Sequence, residues 1–147
     1  MHEINLYTIG FTKKSAEVFF GKIQNAGIQR VIDVRLNNVS QLAGFTKKND
    51  LAYFLRTICG CDYRHTPLLA PTKEILDDYK KKRIAWPEYE KQFNGLLKER
   101  RAYELVSTSE LHRACLLCSE VTPDNCHRRL VAEYFRDHFI GLEITHL

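Results

Sequence analysis

Ala114-Cys115-Leu116-Leu117-Cys118 runs directly into Ser119-Glu120, and Cys126-His127-Arg128-Arg129 follows within the next turn of chain. The first five residues form a compact apolar run of strand length. Thr122-Pro123-Asp124 then opens a helix that carries Leu130, Val131, Tyr134 and Phe135 at helical spacing. Outward from this unit the same alternation recurs. Residues 4–9 read as a strand, and Ser15 caps a helix with Val18, Phe19, Ile23 and Ala26 that stops at Gly27. Residues 30–34 are a short buried strand. Asn49 caps a helix with Leu51, Phe54, Leu55 and Ile58, ended by Gly60. Residues 61–65 form a third strand. Two helices follow, one with Ile75, Leu76 and Tyr79, and one from Pro87 with Tyr89, Phe93, Leu96 and Leu97. Residues 102–112 carry no clear period, and residues 142–146 close the chain as a last strand.

Strands alternating with helices imply parallel pairing through right-handed crossovers. The expected fold is α/β: a single-domain three-layer sandwich over residues 1–147, with a mainly parallel, Rossmann-like sheet of about five strands. The expected strand order is 3-2-1-4-5, which puts a switch point between strands one and four.

In a parallel sheet the C-terminal strand ends share one edge, where open α/β sheets bind their ligands. Residues with chemical potential fall there: Thr8 and Gly10, Asp33 and Arg35, His65, Cys118, and Glu120 with Cys126, His127 and Arg128. Cys126, near a helix N-terminus and beside His127 and Arg128, has the setting of an activated thiol. Glu120 is placed to act as a general acid or base, and Arg35 and Arg128 to hold an anion through a bidentate fork. Each has a plainer alternative: a small buried hydrophobe for either cysteine, a solvated carboxylate for Glu120, an ion pair with Asp33 for Arg35 and a structural role for His65. Cys118, Cys126, His127 and Glu120 do not have the spacing of a zinc knuckle, so neither a metal nor a cofactor is expected.

The balance of 22 Lys+Arg against 18 Asp+Glu, a net charge of +4, permits an anionic partner without requiring nucleic acid. At 147 residues the chain is long enough for one core, and no apolar run has membrane-spanning length. Without a secretory signal at its start, and with five cysteines, it is expected to hold reduced thiols in the cytoplasm.

Thr8-Ile9-Gly10, Asp33-Val34-Arg35 and the Cys118-Ser119-Glu120 to Cys126-His127-Arg128 series resemble, in that order, the family named domain of unknown function 488. Ser40 and Phe45 match its serine and aromatic loop positions. Phe11-Thr12 stand where the family carries His-Ser. The resemblance implies an α/β fold and a shared site at Arg35, Glu120, Cys126, His127 and Arg128, without naming a reaction. A fainter likeness to rhodanese domains at Asp33-Val34-Arg35 fails, because the stretch after Cys118 is too long for a tight anion loop and lacks glycine.

The combined expectation is a cytoplasmic protein that binds an anionic, nucleotide- or phosphate-like small molecule at the strand ends, acting as a hydrolase or transferase if it is an enzyme. Two other readings stay open. One is a nucleic-acid-binding module using Lys47-Lys48 and residues 80–83. The other is a non-catalytic sensor or interaction domain, which Phe11 in place of histidine favours. Oligomeric state is not legible.

Overall fold

The computed structural model describes residues 3–38, 44–119 and 124–147. Five strands and six α-helices alternate along it: β1 Ile4–Gly10, α1 Ala16–Asn25, β2 Arg30–Asp33, α2 Lys48–Phe54, β3 Asp62–His65, α3 Lys73–Lys80, α4 Trp86–Glu99, α5 Thr108–Leu111, β4 Ala114–Cys118, α6 His127–His138 and β5 Leu142–His146. Ser15 and Thr72 cap α1 and α3 by accepting the Val18 and Ile75 amides, each at 3.2 Å. These are the short-side-chain caps expected where helices leave strands.

All strand pairs are parallel, in the order β3-β2-β4-β1-β5. The expected order 3-2-1-4-5 is therefore corrected: β1 and β4 exchange places and β4 takes the centre. The cause lies in composition. Every residue of β4 is buried, whereas β1 alternates at its start and β5 is mostly exposed. A strand that must be covered on both faces belongs in the middle.

The crossovers β1→β2→β3 run one way along the sheet, and β3→β4→β5 run the other. Right-handed connections then place α1 and α2 on one face and α3 to α6 on the opposite face. Two buried clusters match this division. One holds Leu116 with Phe93, Leu130 and Phe135; the other holds Cys115 and Leu117 with Phe19, Leu51 and Leu55. Successive residues of β4 thus serve opposite cores.

Three expectations shift locally. The helix after β4 begins at His127 with Cys126 as its N-cap, so Asp124 and Asn125 are turn, not helix. The helix from Lys48 passes into a π-turn at Leu55–Cys59. The extra residue in that turn rotates the apolar stripe, leaving Leu51 and Leu55 buried but Ile58 44% exposed. Residues 102–112 resolve into a 3-10 turn, Ala102–Glu104, and α5. Among the described residues no helix is long and apolar enough to cross a membrane.

Candidate functional site

Because β4 is central, its last residue, Cys118, lies between the ends of β2 and β1. The Val34 amide donates to the Leu117 carbonyl at 3.1 Å, and the Thr12 amide to that of Ser119 at 3.0 Å. Both neighbouring chains are thus pinned to the β4 tip. A cavity of about 430 Å³ opens there. Its floor is Cys118, Ser119, Cys126 and His127, and one side is Thr12 with Arg35 to Asn37. Aromatic rings also line it: Tyr79 of α3 with Trp86 and Tyr89 of α4. These three rings sit on the helix stripes expected of core residues, and they also face the cavity; their double duty carries no signal in the sequence.

The floor is a compact cluster. Cys118, Cys126 and His127 are all buried, and their ligand-type atoms lie within 4.8 Å of one another. His127 Nε2–H donates to the Val34 carbonyl at 2.6 Å. Cys118 Sγ lies 3.4 Å from Nδ1 and 3.7 Å from Nε2. Near-equal distances put the sulfur beside the ring, off the line of either nitrogen's lone pair. The trio is the one group among the described residues with enough close donors for a metal ion, and the bond from Nε2 to Val34 leaves the Nδ1 lone pair as the ring's ligand atom.

The two thiols are electrostatically unlike. The Cys118 thiol is held below its ordinary value by a hydrogen bond from Cys126, against the cost of burial, with help from the Ser119 amide and the Arg128 charge. Cys126, the donor in that bond, is pushed well up by the same bond and by burial. Of the two, Cys118 is therefore the thiol whose ionisation the surroundings favour.

Around this floor lie supporting charges. Arg128 is 1% exposed, and its Nε donates to Thr8 Oγ1 at 3.3 Å. Thr8 Oγ1 is also 2.5 Å from His146 Nδ1. Burial and the Arg128 charge hold His146 below its usual pKa, which suits a neutral ring accepting from the Thr8 hydroxyl. Arg35 binds Asp33 in a fork, Nε to Oδ1 at 2.9 Å and Nη2 to Oδ2 at 2.7 Å, and Nη2 also reaches the Thr46 carbonyl. The Phe11 ring lies under its guanidinium at 5.4 Å, so the residue replacing histidine packs against Arg35.

Of the expected site residues, the structure gathers Arg35, Cys118, Cys126 and His127 around the cavity. Thr8, Asp33 and Arg128 are buried supports. Gly10 ends β1. His65 Nε2 bonds the Arg35 carbonyl at 2.7 Å and holds the loop. Phe45 packs on Phe19 and Phe20 at the other face. Arg129 pairs with Glu133 and Glu90. Ser40 and Glu120 lie outside the described residues. Sequence reasoning missed Tyr63, which donates to Asp33 Oδ2 at 2.6 Å, and Asn38, which donates to the Tyr63 hydroxyl.

The family described as "Domain of unknown function DUF488" matches residues 15–135. No curated protein and no solved structure matches the chain.

Proposed function

The chain belongs to the DUF488 family, and from that starting point we propose that its cavity is the site of a thiol-dependent hydrolase or transferase, with Cys118 as nucleophile and a small anionic molecule as substrate. The observation that carries this reading is the position of Cys118 at the tip of the central strand, on the cavity floor, with Cys126, the Ser119 amide and Arg128 favouring its thiolate. Only the thiolate attacks, so a buried thiol with that support is the group to choose. We assign the nucleophile to Cys118 in place of the Cys126 expected from the sequence, because the surroundings lower the Cys118 thiol and raise that of Cys126.

The step is an attack by the Cys118 sulfur on an electrophilic centre of the substrate. An S–C or S–P bond forms, and the bond to the leaving group breaks as that group takes a proton. Water in a hydrolase, or a second acceptor in a transferase, then displaces the sulfur and regenerates Cys118. The amino end of α6 and the Arg35 and Arg128 charges favour an anionic substrate through their field. Since the Arg35 fork is engaged by Asp33, contact with the anion falls to cavity-lining groups such as Lys80, Thr12 and Asn125.

The test is alkylation by iodoacetamide, followed residue by residue by mass spectrometry as pH is stepped. Cys118 is expected to react first, at a pH below that of a free thiol, with Cys126 and Cys115 following only at alkaline pH. A Cys118 that stays unmodified, or titrates no earlier than Cys126, overturns the assignment. Phe11 against Arg35 favours a second reading, a binding-only pocket. In that case Cys118 still alkylates, but Cys118→Ser leaves every detectable turnover in an acyl- and phosphoryl-ester screen unchanged.

A further inference from the structure

We infer that Cys126 is a resolving thiol, and that hydroperoxide converts Cys118 and Cys126 into an intramolecular disulfide that closes the nucleophile. This rests on the reading of Cys118 as the reactive thiol and adds its regulation.

The sheet sorts the cysteines. Cys118 and Cys126 belong to the core on the α3–α6 face, while Cys61 and Cys115 belong to the core on the α1–α2 face, with Cys59 packed against it. Cys115 and Cys118 share β4 but point to opposite faces, so they cannot meet. Cys126 is left as the partner within reach, its sulfur within 4.8 Å of that of Cys118. It is the N-cap of α6, yet its side chain makes no capping hydrogen bond, so turning the sulfur toward Cys118 costs the helix no cap. Both thiols line the cavity, which gives a small oxidant its approach to otherwise buried atoms.

The chemistry balances with a hydroperoxide as oxidant. The Cys118 thiolate attacks one peroxide oxygen; the S–O bond forms as the O–O bond breaks, and hydroxide leaves to become water. The Cys126 sulfur then attacks the Cys118 sulfenic acid. The S–S bond forms, the S–O bond breaks, and the Cys126 proton leaves with the hydroxide as a second water. Two thiols lose two electrons and two protons, and the peroxide oxygens gain them. A paired, unlike dithiol beside a cavity is the arrangement such a step needs, since the second sulfur traps the sulfenic acid before a further oxidation.

The experiment treats the reduced full chain with hydrogen peroxide, blocks remaining thiols with iodoacetamide, and maps every cysteine by peptide mass spectrometry. The expected result is a peptide pair joined through Cys118 and Cys126. Alkylation at both should fall roughly tenfold and return with dithiothreitol, while Cys61 and Cys115 stay unchanged. In Cys126→Ser the Cys118 sulfenic acid should instead persist and be captured by dimedone. Irreversible oxidation of Cys118 with Cys126 still free, or a link from Cys118 to Cys59 of another molecule, overturns the resolving role. The wild-type link is read without any variant, so a poorly folding Cys126→Ser does not blunt the test. If reduced Cys118 alkylates but no 118–126 link forms, the nucleophile stands and the regulation falls. If Cys118 neither alkylates nor links, both fall.

Discussion

Asp33 is fully buried, and each of its oxygens accepts two hydrogen bonds: Oδ1 from the Arg35 amide and Nε, Oδ2 from Arg35 Nη2 and the Tyr63 hydroxyl. Burial works against the Arg35 charge, and the Asp33 carboxylate more than offsets it, so the guanidinium pKa is raised. Such a pair is expensive to break from one side. Arg35→Ala should cost about 3–5 kcal/mol in urea unfolding, because it strands a buried carboxylate. Tyr63→Phe should cost about 1–3 kcal/mol, since one hydrogen bond to a charged group is lost. The Asp33→Asn, Arg35→Ala double variant should lose less than the sum of its single variants, and additive losses would show that the two side chains are not coupled. The Asp33-Val34-Arg35 motif is legible in the sequence as a site element, with an ion pair between its ends as the plainer alternative. Its commitment inward, and the Tyr63 that completes it, were not visible, because β3 reaches Asp33 only through pairing across the sheet. The same holds for the cysteines. Their closeness to a strand end and a helix start could be read, but the contrast between them arises from their mutual contact, made by segments joined by a loop.

At the scale of elements, local signals were readable where the chain obeys a single period. The apolar run of β4 and the short closing strand β5 match their observed bounds. The π-turn at Leu55–Cys59 could not be read, because the stripe through Leu51 and Leu55 is helical up to the point where the phase slips. A signal that was present and passed over is Ser107-Thr108-Ser109-Glu110. Ser107 Oγ accepts the Glu110 amide at 3.2 Å and Glu110 accepts the Ser107 amide at 3.0 Å, a capping box that starts α5. Two glycines show what an element does to one residue type. Gly95, in mid-α4, has open space where a Cβ would stand, whereas Gly60 ends the π-turn at φ +62°. Gly95→Ala should therefore stabilise the fold by about 0.5–1 kcal/mol. Gly60→Ala should destabilise it by about 1–2 kcal/mol, although its Cβ also meets nothing. Urea unfolding of the two variants separates the causes: equal effects would mean that backbone conformation does not govern the difference.

At the scale of the whole molecule, the sheet separates two thiols that are both raised from a pair whose members are shifted in opposite directions. On the α1–α2 face, burial pushes the Cys61 thiol up to about 12, aided by Cys59 and Asp62, and burial also raises Cys115. On the other face Cys118 is lowered and Cys126 raised. A thiol raised in the folded state contributes stability that is complete below the unfolded thiol value, and it loses this as pH climbs toward the folded value. Unfolded chains release those protons first, so each raised thiol should lower the unfolding free energy by about 1.4 kcal/mol per pH unit above roughly pH 9. For Cys61 the window closes near pH 12. Cys118 acts with the opposite sign: its contribution grows as pH rises to the unfolded thiol value and is lost as pH falls through its own. Urea unfolding of the fully reduced chain at stepped alkaline pH tests the Cys61 part. Cys61→Ala should be less stable than the natural chain at neutral pH, because a buried sulfur is gone from the Leu51–Leu55 core. Its stability should nevertheless fall less steeply, by about 1.4 kcal/mol per pH unit, between roughly pH 9 and 12. The two curves should therefore converge with rising pH. Parallel curves would mean that Cys61 ionises alike in the folded and unfolded chains, and that the core on that face does not exclude water from it.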